Sequence, residues 1–304
     1  MATKKSSSTP VSTKAIDNLI NQALAIEDQS AQVAGSLGFV ARAMVMATLP
    51  HSKVKGNEFS RVNGNYTMVI LAPSNVGLPY GVIPRLLLAW LTTQAVKTKK
   101  RDIEMGESLS KFMEELGMLP TGGRWGSITQ LKEQATRLFS SNISAIYRDE
   151  KGVKLINQNI TDRAVLWWDK KPTDQGTLWN STVRLSEQFF NEVVDRPIPI
   201  DMRALHALKK SPLALDIYNW MTYRASYLNK PTTITWDSLA MQFGSNYKEV
   251  RNFKTAFIEE LKKVSIVYSA VDVTHTPEGL TIKPMLTHIE KKKKPVLRVK
   301  SSKI

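Results

Sequence analysis

No cysteine occurs among the 304 residues. That excludes a disulfide framework, a thiolate zinc site and an iron–sulfur cluster, and it fits an intracellular protein. Histidine is scarce: His51, His206, His275 and His288 are the whole set, and no two lie close in sequence. A rolling-circle nickase would need a closely spaced metal-binding histidine pair, which is missing. So are the His-Glu-x-x-His zinc motif and the Gly-x-x-x-x-Gly-Lys phosphate loop. Long apolar runs are missing too. The most apolar stretch, residues 37–49, is interrupted by Arg42, whereas a bilayer-crossing helix needs about 20 apolar residues. Residues 1–10 are rich in Ser, Thr and Lys without an apolar core, so no signal peptide is read there. These absences point to a cytoplasmic protein with no membrane partner.

Acidic residues are the next shortage. There are 27 Asp and Glu against 42 Lys and Arg, a net charge of +15. Asp169, Asp174, Glu187 and Glu192 near the middle of the chain match no magnesium-binding template and read as solvated surface. No cofactor and no metal are expected. Such a cationic surplus concentrates polyanions around a protein and speeds their encounter with it. Nucleic acid is the first partner this suggests, and an anionic membrane surface the second.

What is present organises the chain. The hydrophobic fraction of 42% supports packed cores, and the length suggests about two domains of roughly 150 residues. Residues 1–13 read as a disordered tail. A helix is expected over 15–26, a loop over 51–65 and a strand over 66–71, and residues 1–76 are taken as an N-terminal extension. Helical periodicity then marks 79–98, with Ile83, Leu86, Leu87, Trp90, Leu91 and Ala95 on one stripe. Ser108 starts a short helix that Gly117 stops. Pro120-Thr121-Gly122-Gly123 makes a turn into a third helix over 127–140. A strand at 143–147 and a hairpin over 154–160 and 164–168 follow.

That order recurs. Helices are expected over 212–227, 237–243 and 247–264, and strands over 266–271 and 280–285. Trp90 and Ser108 are spaced as Trp220 and Ser238 are, and Gly117 plays the part of Gly244. Two copies of one supersecondary unit account for this. The expected fold is therefore α+β and mainly helical: two tandem winged helix-turn-helix domains over 77–182 and 183–288, with the N-terminal extension and a basic tail over 289–304.

In such a unit the third helix docks in the major groove of DNA, and the hairpin lies over neighbouring phosphates. The first candidate helix offers Gln130, Lys132, Glu133 and Arg137, with Arg124 in the turn before it. Arg137 could pair with guanine and Gln130 with adenine. The second offers Ser245, Asn246, Tyr247 and Lys248 at its start, then Arg251, Asn252 and Lys254. A solvated helix face would carry similar residues. Lys291, Lys292, Lys293 and Lys294 open a tail with no acid after Glu290, suited to gathering phosphates without reading sequence. Consecutive Trp167 and Trp168 face opposite sides of an extended chain, which suits packing at a seam between domains.

Several motifs are also familiar. Gly77-Leu78-Pro79-Tyr80-Gly81 and Ile83-Pro84-Arg85-Leu86-Leu87-Leu88-Ala89-Trp90-Leu91 resemble the plasmid-encoded RepA replication initiators. So do Ser108-Leu109-Ser110-Lys111-Phe112-Met113, Pro120-Thr121-Gly122-Gly123-Arg124-Trp125-Gly126 and Leu166-Trp167-Trp168. The likeness continues through Leu185-Ser186, Phe189-Phe190 and Ser211-Pro212-Leu213-Ala214-Leu215-Asp216-Ile217-Tyr218. It covers about residues 76–285. The resemblance implies a bacterial, non-enzymatic initiator that binds repeated double-stranded sites at a plasmid origin. It also implies help in opening the duplex, recruitment of host replication proteins, and a homodimeric form that limits copy number. A winged-helix transcriptional repressor is the alternative within the same fold, and a magnesium-dependent nuclease or primase the alternative outside it.

Overall fold

The computed structural model describes residues 13–166, 181–244 and 247–290. The N-terminal part carries α1 (Thr13–Asp28), β1 (Leu37–Val40), α2 (Arg42–Met46), β2 (Glu58–Asn63) and β3 (Tyr66–Leu71). Next come α3 (Val82–Thr98), β4 (Asp102–Glu104), α4 (Leu109–Glu115) and α5 (Ser127–Phe139). Four strands follow: β5 (Asn142–Asp149), β6 (Gly152–Asn159), β7 (Thr161–Val165) and β8 (Thr182–Leu185). The chain continues through α6 (Glu187–Asp195), β9 (Ile198–Asp201), α7 (Met202–Leu208) and α8 (Pro212–Ala225). It ends with β10 (Thr232–Thr235), α9 (Trp236–Phe243), α10 (Val250–Val267), β11 (Val273–His275) and β12 (Gly279–Ile282). The result is a mixed α/β fold whose described strand pairs are antiparallel.

Side-chain caps fix where helices begin. Ser108 accepts from the Lys111 amide, Ser211 from Ala214 with Pro212 in the first turn, and Thr235 from Ser238. Each cap satisfies an amide that the helix itself leaves without an acceptor. The caps also correct the internal alignment. Sequence spacing equates Ser108 with Ser238, but the structural counterpart of Ser108 is Thr235, three positions earlier. On that register Gly117 and Gly244 both close the short second helix.

The order helix, strand, helix, helix, strand, strand occurs twice: as α3, β4, α4, α5, β7, β8 and as α8, β10, α9, α10, β11, β12. Both sets close a three-stranded sheet in the same way, with the first strand beside the last and the last beside the middle one. The sheet orders are β4-β8-β7 and β10-β12-β11. What differs is an extra hairpin, β5–β6, placed between the third helix and the sheet of the first set.

That hairpin overturns the expected pairing of 154–160 with 164–168. β6 pairs with β5, from Asn142 opposite Asn159 to Asp149 opposite Gly152, and β7 pairs with β8. Trp167 and Trp168 lie outside the described residues. β8 straddles the boundary expected between 182 and 183, and by pairing it belongs to the first sheet. The strand expected at 266–271 is likewise not formed: α10 runs on through Val267, and a turn follows over 268–270. Leu261, Val264 and Val267 continue one buried helical stripe, so the apolar run there follows a period of 3.6 rather than 2.

Residues 13–76 are woven into both halves. The β2–β3 hairpin joins β5–β6 in a four-stranded sheet ordered β2-β3-β5-β6, and β1 pairs with β9. α1 packs against α7 and α10. β2 lies inside the stretch expected to be loop because Phe59 is its one buried apolar side chain. A single buried core runs from Leu87, Trp90 and Phe112 through Leu131 to Trp220, Phe243 and Phe257.

Candidate nucleic-acid interface

The two third helices present different surfaces. On α5, Leu131, Gln134, Ala135 and Leu138 face inward. Gln130 and Glu133 are exposed and Lys132 is half-buried. The turn before α5 is tightly built. The Thr121 amide donates to Ser127 Oγ at 2.8 Å, and the Ser127 amide returns the bond to Thr121 Oγ1 at 2.9 Å. Thr129 Oγ1 donates to the Gly123 carbonyl at 2.8 Å, and Gln130 Nε2 to the Trp125 carbonyl at 3.0 Å. Arg124 is exposed at the tip, its guanidinium 5.1 Å from the centre of the Trp125 ring.

Arg137 is not placed to read a base, contrary to the sequence expectation. Its side chain is only 12% exposed. Nη2 donates to Glu133 at 2.7 Å, Nη1 donates to the Leu78 carbonyl at 3.2 Å, and the guanidinium lies 5.5 Å from the Tyr80 ring centre. At the C-terminal end of α5 it faces the 77–80 segment, so it locks that segment to the helix. Beside it, Gln134 Oε1 accepts from the Tyr80 amide at 2.9 Å. Glu133, as the partner of Arg137, is similarly committed.

α10 begins at Val250, later than its sequence pattern indicates, so Tyr247 and Lys248 precede the helix. Phe253, Phe257, Leu261 and Val264 anchor it, and Arg251 and Asn252 are exposed on its first turn. Tyr247, 38% exposed, packs edge-on against Phe253 with ring centres 5.7 Å apart. Burial lifts its phenol above the ordinary tyrosine value, and Glu260 and Glu259 add to this. Lys254 reaches sideways: Nζ donates to the Thr276 carbonyl at 3.1 Å and lies 5.0 Å from the Trp236 ring centre. Trp236 Nε1 donates to the same carbonyl at 3.0 Å. Lys254 therefore ties the third helix to the β11–β12 turn. Ser245, Asn246, Lys291, Lys292, Lys293 and Lys294 lie outside the described residues.

A buried polar cluster has no counterpart among the sequence expectations. Arg85 on α3 and Asp216 on α8 form a doubly hydrogen-bonded pair, joined by His51. Burial alone would lift the Asp216 carboxyl, but Arg85 and His51 hold it below its ordinary value. Burial lowers His51 despite the opposing pull of Asp216. The signal lies in the sequence: a charged residue within each of two otherwise apolar stripes, Pro84-Arg85-Leu86 and Leu215-Asp216-Ile217. Glu192, expected as solvated surface, accepts from the Ala43 amide at 3.1 Å. Among the described residues no group of three His, Asp or Glu side chains could hold a metal ion, and no helix is long and apolar enough to cross a membrane.

A folded chain with this recurrent unit falls among replication initiators on comparison with known proteins. Residues 78–238 match the family described as plasmid-encoded RepA protein, and the chain belongs to that family of plasmid replication initiators. Two solved structures have a similar fold. Domains 2 and 3 of RctB (residues 155–483) match at a TM-score of 0.50 and 14% identity, covering 79% of this chain and 96% of that one. A selenomethionine form of the same two domains matches at 0.55 and 13%, covering 83% and 100%. No curated protein matches the chain significantly.

Proposed function

We propose that this chain initiates replication by binding repeated double-stranded sites at the origin of its replicon through two tandem winged-helix units. The observation that carries this reading is the repeated sheet order, β4-β8-β7 and β10-β12-β11, each set beside a third helix with one apolar and one polar face. α5 and α10 enter successive major grooves. The β7–β8 and β11–β12 hairpins lie over adjacent phosphates. Lys254 and Thr276 hold the second hairpin at a fixed angle to its helix.

Arg124, Gln130 and Lys132 from the first unit, and Lys248, Arg251 and Asn252 from the second, meet DNA. Arg251 and Gln130 are the base-reading candidates, because a bidentate Arg suits guanine, and Gln130, with one amide proton on the Trp125 carbonyl, still offers its second proton and Oε1 to adenine. The net charge of +15 supplies the sequence-independent part of the affinity, and the lysine tail adds to it. The protein works by binding, opening the adjacent duplex and recruiting host replication proteins. Its dimeric form restrains initiation.

Nuclease footprinting on the DNA that flanks its own gene tests this reading. Protection of direct repeats is expected. No protection at low or physiological salt overturns it, and protection confined to the gene's promoter favours a repressor.

A further inference from the structure

The turn that feeds α5 holds an indole out in water. Trp125 is 80% exposed, whereas Trp90, Trp220 and Trp236 are 4%, 2% and 4% exposed. The backbone there has little freedom to fold the ring away. The Gly126 amide donates to the Gly123 carbonyl at 3.1 Å, and Ile128 donates to the Thr121 carbonyl at 3.2 Å. Gln130 grips the carbonyl of Trp125 itself. Gly123 has φ of +90°, and a Cβ at Gly126 would sit 2.3 Å from the Gly122 carbonyl oxygen. Both places therefore demand glycine, and it is the bonds among Thr121, Ser127, Gly123 and Thr129 that brace the turn. A large apolar ring carried into solvent on a braced backbone offers an anchor for a partner.

The surroundings of the ring indicate the partner. The Arg124 guanidinium lies 5.1 Å from its centre and is exposed with it. Lys132 follows one turn on. The single acid of α5, Glu133, is neutralised by Arg137. An aromatic face beside a guanidinium, on a helix end without an uncompensated acid, suits a nucleobase on its phosphate chain. It does not suit an apolar protein surface.

We propose that Trp125 and Arg124 form a stacking site for an unpaired nucleobase of opened DNA, next to the duplex-facing side of α5. The inference rests on the DNA-binding reading above and adds a ligand class to it. Such a site takes a base either from a free single strand or from a distorted duplex step, and in both cases favours the opened form of the origin.

The test titrates the full chain, Trp125→Phe and Trp125→Leu against three labelled probes. These are a single-stranded oligothymidylate, an intact duplex from the DNA flanking the gene, and that duplex with an internal mismatched bubble. Trp125→Leu should bind the opened probes about ten-fold more weakly, with Trp125→Phe within about three-fold of the parent, since stacking needs a π face rather than apolar area. Intact-duplex affinity should stay unchanged in both. A loss confined to the bubble identifies a base displaced from duplex, and a loss on both opened probes identifies any unpaired base. Equal binding of all three proteins, with the parent still binding duplex, overturns this inference alone. An equal loss on intact and opened probes also overturns it. If the parent binds none of the probes, the DNA-binding reading fails and takes this inference with it.

Discussion

Arg85 and Asp216 clasp one another through two parallel hydrogen bonds, Nε to Oδ1 and Nη2 to Oδ2, each 2.7 Å long. The remaining guanidinium protons go to the carbonyls of Leu49 at 2.7 Å, Pro50 at 3.2 Å and Gly81 at 2.6 Å. His51 donates from Nε2 to Asp216 Oδ2 at 2.9 Å. The fork geometry matches a planar carboxylate, which a lysine could not do. One buried pair thus joins the first helix of each repeated unit to the segment around residue 50. It also joins two of the sequence motifs that carry the family resemblance, 83–91 and 211–218.

Breaking this pair from one side should be costly, because the surviving charge stays buried without a counter-ion. Asp216→Leu is expected to lose about 3–5 kcal/mol of stability. Arg85→Met combined with Asp216→Leu should recover part of that loss: no charge is left without a partner, but the Leu49, Pro50 and Gly81 carbonyls lose their donor. Urea unfolding of the two variants and the parent checks this. A double variant no more stable than the single one contradicts it.

Stability should also fall in mild acid. His51, His206 and His288 are all held below the ordinary histidine value, burial being the largest cause each time. A histidine with a depressed folded pKa binds its proton more readily when unfolded. Its stabilising contribution is therefore complete above the unfolded value of about 6.5 and is lost as pH falls through the folded one. Each such group contributes a slope of at most about 1.4 kcal/mol per pH unit inside that window. Unfolding measured between neutral pH and pH 5 should show a steady decline below about 6.5. A flat profile over that range contradicts the account.

Much of the fold is readable from the residues. Ser108 and the glycines at 117 and 244 mark helix ends because caps and stops are local chemistry. Pairing is not readable. β2 has one buried apolar side chain, and it is a strand because β3 lies beside it. β6 alternates too weakly to reveal that its partner is β5 rather than β7. Val267 has a strand-like neighbourhood in sequence, yet the buried stripe of α10 claims it. Residue types offer Arg124, Gln130, Arg137, Arg251 and Lys254 alike as candidates, but only packing shows that Arg137 faces the 77–80 segment and that Lys254 faces Thr276.

The fates of two arginines should separate. Arg251, exposed at the start of α10, is assigned to base contact, so Arg251→Ala should lose about 1–3 kcal/mol of binding at the specific site without loss of stability. Arg137 is spent on Glu133 and Leu78, so Arg137→Ala should cost stability of about 1–3 kcal/mol while leaving base preference unchanged. Gel shifts with specific and scrambled duplexes, beside unfolding curves, make the comparison. Altered base preference in the Arg137 variant contradicts the assignment.

Removing residues 291–304 should weaken binding to every duplex alike. The slope of log affinity against log salt should flatten by about 0.9 for each phosphate that the tail no longer neutralises. Titrations at several salt concentrations report this directly. A weakening restricted to one sequence would mean that the tail reads bases.

The central claim is that two copies of one unit each hold their own stretch of duplex. Footprinting of Gln130→Ala and Arg251→Ala beside the parent tests it most directly. The parent should protect two patches about one helical turn apart, the Gln130 variant should lose one and the Arg251 variant the other. A single patch that both variants weaken equally, or protection that neither changes, contradicts it.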